Sequence, residues 1–108
     1  EDKLRRTLSA IDRKLGEGPF HYRYSDARGE EGCFLACTFW MAEGWHLLGE
    51  QDKAMHTLNE ALNALAGGPG TLAEMIDPDS RAWLGNVPQG LSHLAAVHGI
   101  LTVLGAEL

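Results

Sequence analysis

Residues 33–48 read CFLACTFWMAEGWHLL and are apolar on nearly every side of a helix. A helix that is apolar all round is normally buried on all sides rather than along one stripe. The stretch GLSHLAAVHGILTVLG, at positions 90–105, has the same character. The sequence therefore predicts two buried helices. The first of them is expected to begin near Glu30 and Glu31, whose charges suit a helix N-terminus, and to close at Gly49.

Two further helices have ordinary amphipathic patterns. The first is expected from about Asp2 to Leu15, where Gly16 ends the helical spacing of its leucines. The other spans 50–66, with an apolar stripe on one side, and stops at the break GGPG, 67–70. Exposed and buried helices thus alternate, which implies two layers. Each apolar helix needs more partners than this chain supplies, so we expect a slice of a larger all-α assembly or self-association through exposed apolar faces.

Composition excludes several classes of function. The 108 residues include 9 basic and 15 acidic side chains, a net charge of −6, without a basic stripe. Nucleic-acid binding normally needs clustered Lys and Arg, so it is not expected. No apolar run approaches the roughly 20 residues that span a bilayer, and the charged start lacks a signal-peptide pattern. A cytoplasmic protein with a neutral or weakly charged partner, such as a sugar, is the remaining expectation.

The two cysteines and the histidine pair near the C-terminus do not predict a metal site. Cys33 and Cys37 are four residues apart in an apolar helical pattern, so both are expected on one helix face as small core side chains. A disulfide or metal pair is disfavoured because no ligand cluster accompanies them. His93 and His98, five apart, also lack suitable spacing.

Two loops hold the remaining polar residues of interest. The segment FHYRYSDARGEEG, 20–32, reads as a long functional loop between helices. The second loop, GTLAEMIDPDS at 70–80, places Glu74 among apolar neighbours directly after the glycine-rich break. From spacing alone, Glu74 is either a solvated loop acid, a cap for a short turn, or a functional carboxylate.

Four motifs in order carry a resemblance to a known family. They are YRYSD at 22–26, GEEGCFLACTFW at 29–40, AEMIDP at 73–78 and LGNVPQGLSHLAAV at 84–97. Together they resemble the C-terminal part of glycoside hydrolase family 15, which contains the glucoamylases, the glucodextranases and their bacterial trehalase-like relatives. The resemblance implies an (α/α)6 barrel with the active site at one mouth. Helices two and four would be inner helices, one and three outer helices, and residues 1–108 about a third of the catalytic domain.

The resemblance also implies a chemistry. Inverting glycosidases use one carboxylic acid to protonate the leaving oxygen and one carboxylate to activate water on the opposite face. Glu74 matches the position of that general base, whereas the general acid lies in a part of the family's domain with no counterpart here. The isolated chain is therefore expected to be inactive, and hydrolysis implies no cofactor. One departure is Met75, where the family usually carries Glu or Gln to contact the substrate or orient the water.

Five side chains are implied as sugar contacts by the resemblance: Arg23, Tyr24, Glu30, Glu31 and Gln89. A guanidinium fork suits vicinal hydroxyls, although Arg23 could equally form a salt bridge to Asp26 or Glu30. The two glutamates could simply complement a helix dipole. Trp40 could stack on a pyranose ring, but its place inside an apolar helix favours the core.

These expectations leave two functions open. The first is a segment of a glycosidase that hydrolyses α-linked glucose, with trehalose and maltooligosaccharides as the substrate classes. The second is a non-catalytic helical interaction module whose apolar faces bind a partner protein. The two functions predict different effects of substitution. The interaction module tolerates replacement of Glu74 and Arg23, whereas the enzyme does not.

Overall fold

The computed structural model describes residues 2–23, 31–66, 72–85 and 89–105, and most of these residues are helical. The helices are α1 (Asp2–Leu15), α2 (Leu35–Leu47), α3 (Gln51–Leu65) and α4 (Gly90–Val103). The predicted helical content is confirmed, and the bounds of α1, α3 and α4 agree with the periodicity of the sequence to within one or two residues. Short strands accompany the helices, so the described chain is mostly rather than purely helical.

Helices α2 and α4 lie side by side and run in the same direction. Gly99 of α4 passes so close to α2 that an added Cβ would lie 3.2 Å from the Cβ of Phe39. Beyond the end of α2, Gln51 at the start of α3 donates a hydrogen bond from Nε2 to the carbonyl oxygen of Val103, the last residue of α4, at 2.8 Å. Contacts thus advance together along the two helices. Helix α3 follows α2 after the turn at Gly49, whose φ of +80° suits glycine, and packs back along α2.

A small antiparallel sheet lies beside the start of α2. Its strands are β3 (Cys33–Phe34), β4 (Met75–Ile76) and β5 (Trp83–Leu84), in the order β3-β4-β5. A separate hairpin joins β1 (Gly16–Glu17) to β2 (Phe20–His21), directly after α1. The segment 20–32 is therefore not loop throughout, because Phe20 and His21 form β2.

The predicted start of α2 near Glu30 and Glu31 was wrong. The helix begins at Leu35, since Cys33 and Phe34 are extended and pair with β4 more than 40 residues away. The expectation that both cysteines share one helix face fails for the same reason. Cys33 is a buried strand residue, whereas Cys37 is half-buried in α2, and no disulfide joins the two. Burial raises the pKa of the Cys37 thiol.

The core is built around α2, which contacts α3, α4, α1 and β2. Its largest fully buried side chains include Phe20, Leu35, Phe39, Leu58 and Ile76. The expected burial of α2 and α4 on all sides is not met within this chain. Apolar side chains on these two helices remain exposed: Trp40, Leu47, Leu91, Leu94, Val97 and Leu104. Trp40 in particular is 45% exposed, so its predicted core position was wrong. No helix in the described ranges is long and apolar enough to cross a membrane.

Candidate active site

The main chain around Glu74 is fastened to the first residues of α2 and α4. The Leu35 amide, at the start of α2, donates to the carbonyl oxygen of Glu74 at 3.0 Å. The buried hydroxyl of Ser92, in the first turn of α4, donates to the carbonyl oxygen of Ala73 at 2.8 Å. These bonds join a non-helical segment to the amino-terminal ends of two parallel helices. Glu74 is therefore held at that end of the helix pair.

His93 and Gln89 attach the preceding residue, Leu72, to the start of α4. The Gln89 amide donates to the carbonyl oxygen of Leu72 at 2.8 Å, and the Leu72 amide donates to His93 Nε2 at 3.1 Å. Because Nε2 accepts, the neutral imidazole carries its proton on Nδ1, which faces the Gln89 carbonyl oxygen at 2.8 Å. The family resemblance implies only that Ser92 and His93 lie at the start of the last inner helix, whose amino-terminal end should face the site. Their role in holding 72–73 depends on contacts across about 20 residues, for which the sequence offers no signal.

The Glu74 carboxylate is half-buried and lies against Gly85, just after β5. A Cβ added at Gly85 would lie 2.6 Å from Glu74 Oε1 and 3.0 Å from Met75 Cε. Gly85 also has a φ of +76°, in the left-handed region that favours glycine. A side chain at position 85 would therefore displace the carboxylate, which makes this glycine part of the carboxylate's environment.

Arg23 and Glu31 form a bidentate ion pair. Arg23 Nε donates to Glu31 Oε1 at 2.9 Å and Nη2 donates to Oε2 at 2.7 Å, while the guanidinium lies 5.2 Å from the centre of the Phe34 ring. The hydrogen bond from Arg23 lowers the pKa of Glu31. A salt bridge of Arg23 is thus present, with Glu31 as partner, whereas the two partners predicted for it, Asp26 and Glu30, lie outside the described residues.

Strand β3 separates this pair from Glu74. The register places Phe34 opposite Met75, so Glu31 and Glu74 flank opposite ends of the β3–β4 pairing. The Phe34 ring, which faces the Arg23 guanidinium, meets the Trp40 ring at a centroid distance of 6.3 Å, tilted by 49°. Among the predicted site residues, the structure thus brings Arg23 and Glu31 into contact and places Glu74 at the other end of β3.

The three other predicted sugar contacts are Tyr24, Glu30 and Gln89. Tyr24 and Glu30 lie outside the described residues. Gln89 is the residue before α4, and its main-chain amide and carbonyl make the bonds to Leu72 and His93 described above. Its side chain makes no capping hydrogen bond to the helix.

Two acids that the sequence analysis did not single out share a cleft with Glu31. The cleft has a volume of about 250 Å³ and is also lined by Tyr22, Asp77 and Asp79. Asp77 Oδ1 accepts hydrogen bonds from the amides of Asp79 and Ser80 at 2.9 and 3.0 Å, which lower its pKa. Burial raises the pKa of Tyr22, and these nearby carboxylates raise it further. Within the described ranges, no group of three His, Cys, Asp or Glu side chains is arranged to hold a metal ion.

Comparison with known proteins points to one class of glycosidase. No protein-family model and no solved structure matches the chain. By sequence it is similar to trehalases. It is 34% identical over 113 residues to those of Mycolicibacterium smegmatis and Mycobacterium tuberculosis, with 99% of the chain covered. It is 38% identical over 101 residues to the trehalase of Thermoplasma volcanium. The chain spans only 16–17% of the length of these relatives.

Proposed function

We propose that this chain is a segment of a trehalase-like glycosidase that acts on α-linked glucose, with trehalose as the first substrate to test. The observation that carries the proposal is the similarity to trehalases along 99% of the chain. The four motifs that resemble glycoside hydrolase family 15 support the same assignment, and on that resemblance we propose that the segment belongs to the C-terminal part of the catalytic domain.

Glu74 is proposed as the general base of an inverting mechanism. In this scheme its carboxylate takes a proton from the water that attacks the sugar, while an acid from outside this chain protonates the leaving oxygen. The two carboxyl groups of such enzymes stand roughly 6.5–9.5 Å apart to admit the water. Support comes from the attachment of 72–74 to Leu35 and Ser92, because a general base acts only when it is held within reach of the proton it removes.

Arg23, Glu31 and the neighbouring aromatic rings are proposed to bind the sugar. A guanidinium held by a carboxylate and an aromatic face is already oriented, so less side-chain entropy is lost when it binds vicinal hydroxyls. Trp40, exposed and beside Phe34, offers a ring face for stacking. Tyr24, Glu30 and Gln89 complete the proposed set on the strength of the family resemblance.

The apolar faces of α2 and α4 are proposed to pack against the remainder of an (α/α)6 barrel. Two parallel helices joined through an antiparallel one have the inner–outer–inner arrangement of such a barrel. The exposed Leu47, Leu94 and Val97 would be covered there, whereas an isolated chain would cover them by self-association. The same exposed faces favour the second candidate function, a non-catalytic module that binds a partner protein.

The deciding experiment measures glucose release by the longer parent protein from trehalose and maltotriose. Glu74→Gln is compared with the wild type and with Asp52→Asn, a control carboxylate on the exposed side of α3. We expect Glu74→Gln to lower kcat by about two orders of magnitude or more, and Asp52→Asn to leave it unchanged. An active parent with a harmless Glu74→Gln refutes the base assignment. A parent that hydrolyses neither sugar makes the interaction module the better proposal.

The oligomeric state of the 108-residue chain gives a separate test of the packing proposal. Size-exclusion chromatography with light scattering is expected to show dimers or larger species, because exposed apolar helix faces associate in water. Replacing Leu94 and Val97 by Ser should shift the chain toward monomer. A stable monomeric wild type contradicts the proposal that these faces need covering.

A further inference from the structure

A second polar cleft lies between α1, the β1–β2 hairpin and α3. Its volume is about 420 Å³, within the usual range for small-molecule sites. The side chains that matter are Asp12, His21, His56, Thr57, Glu60 and Arg81. None of them lines the Glu31 cleft or contacts the segment 72–74. Arg81 belongs to the turn between β4 and β5, whereas Glu74 precedes β4, so the cleft and Glu74 lie at opposite ends of that hairpin.

The Arg81 guanidinium is the most informative group in the cleft. It lies 4.9 Å from the centre of the Phe20 ring, which is fully buried. Among the described residues it has no carboxylate or carbonyl partner, so its N–H donors are oriented but not engaged. Its backbone has a φ of +66°, a conformation that suits Gly or Asn and is uncommon for a long side chain. Strain of this kind is often found where a side chain serves a site.

The walls of the cleft add acceptors and further donors. His21 is almost fully buried and its Nε2 lies 2.9 Å from Asp12 Oδ1, which fixes the Asp12 carboxylate. His21 Nδ1 is buried and has no hydrogen-bond partner within the described ranges. On α3, His56 Nε2 lies 3.7 Å from Glu60 Oε1. The cleft therefore presents hydrogen-bond donors and acceptors on facing walls.

The charges in the cleft do not favour a simple anion or cation. With neutral histidines, one Arg and two carboxylates leave a formal charge of 1 − 2 = −1. Each charge also has a neighbour, because Asp12 meets His21, Glu60 faces His56, and Arg81 lies on an aromatic ring. What remains available is directional hydrogen bonding of both kinds. Hydroxyl groups both donate and accept, so a ligand with several of them satisfies both walls at once.

We propose that this cleft binds a neutral polyhydroxyl ligand, a mono- or disaccharide, at a site separate from Glu74. Arg81 and Thr57 donate to ligand oxygens, and Asp12 and Glu60 accept from its hydroxyl groups. Binding at this cleft does not require hydrolysis. The proposal can therefore be tested separately from the assignment of Glu74 as general base.

The test is a titration of the ¹⁵N-labelled chain with glucose and with trehalose, followed by amide chemical shifts. We expect shifts clustered at Gly18, His21, Thr57 and Arg81. Arg81→Asn keeps a residue that accepts the left-handed backbone but removes the guanidinium, and it should weaken binding at least about tenfold. Glu74→Gln should leave these shifts unchanged, which separates this site from the proposed active site.

Two milder variants keep the result decisive if Arg81→Asn loses its folded spectrum. Thr57→Val removes only a hydroxyl and His56→Ala removes an exposed ring, and each should weaken binding at this cleft. The proposal is overturned if neither sugar shifts the cleft residues, or if the sugar-induced shifts disappear in Glu74→Gln. It is also overturned if inorganic phosphate or glycine shifts the cleft residues while both sugars do not.

Discussion

Glu31 and Glu74 flank opposite ends of the same pair of strands, yet the fold holds them in different ways. Glu31 is fixed through its side chain, by two hydrogen bonds from Arg23. Glu74 is fixed through its main chain, since its carbonyl oxygen accepts from Leu35 and the preceding carbonyl accepts from Ser92. The carboxylate of Glu74 is then positioned by its own backbone and by the space left at Gly85.

This difference separates two uses of a carboxylate. A carboxylate in a bidentate pair with Arg has its pKa lowered and its oxygens engaged, which suits positioning of the guanidinium. A general base instead must present an oxygen to water while staying in place. Anchoring through the main chain holds the residue in place whatever its carboxylate oxygens contact. The comparison therefore favours Glu74 over Glu31 for the base and Glu31 for binding.

The largest effect is expected where the strand pair joins the two carboxylates. A Cβ at Gly32 would lie 2.7 Å from the carbonyl oxygen of Ile76, a main-chain atom that cannot move alone. Gly32→Ala should therefore push β3 away from β4 and lower the free energy of unfolding by about 3 kcal/mol, measured by urea denaturation. The same displacement would change the position of Glu31 relative to Glu74.

Gly90→Ala is the control for this substitution. Among the described residues, no atom lies within 4 Å of a Cβ at Gly90, the first residue of α4. Alanine there should raise the free energy of unfolding by a few tenths of a kcal/mol and at most about 1 kcal/mol, because it favours the helix. Equal destabilisation by both substitutions would show that the close approach of β3 to β4 is not what Gly32 provides.

A smaller effect is expected from removing one anchor of the Glu74 segment. Ser92→Ala leaves the buried carbonyl oxygen of Ala73 without its donor and should cost about 2 kcal/mol of stability. In the parent protein Ser92→Ala should also lower kcat, because Ala73 directly precedes Glu74. Ser9→Ala, on the exposed side of α1, is the matched control and should change neither quantity. Loss of stability in Ser92→Ala with an unchanged kcat would separate the anchor from the chemistry.

The helices could be predicted from the sequence because their signals are local. Gly16 and Gly49 end α1 and α2, and the periodic apolar residues of α1 and α3 define the faces that pack. The start of α2 could not be predicted in the same way. Acids at 30–31 suggest a helix N-terminus, but pairing with β4 keeps Cys33 and Phe34 extended, so the helix begins only at Leu35. That pairing is a tertiary contact, and it overrides the local preference.

The site was predictable only in part for a related reason. The resemblance gave Glu74, Arg23 and Glu31 their proposed roles, whereas the Arg23–Glu31 pairing appeared only in the structure. Trp40 was expected in the core because an apolar helix is usually surrounded. It is exposed because its side of α2 has no covering element among the described residues. The local sequence pattern indicates which helices have apolar faces that need covering. It does not indicate whether the covering elements belong to this chain.

The smallest effect is expected from protonation of Glu31. Its pKa is lowered in the folded state, so the pair with Arg23 contributes stability above the ordinary glutamate pKa of about 4.3, and this contribution is lost as the pH falls through the folded value. Since the Arg23 side chain is 41% exposed, the contribution should stay below about 1 kcal/mol. Urea unfolding between neutral and acidic pH should therefore show a shallow loss of stability that Arg23→Gln reduces. If the wild type and Arg23→Gln lose the same stability over this range, other carboxylates such as Asp77, whose pKa is also lowered, account for the pH dependence.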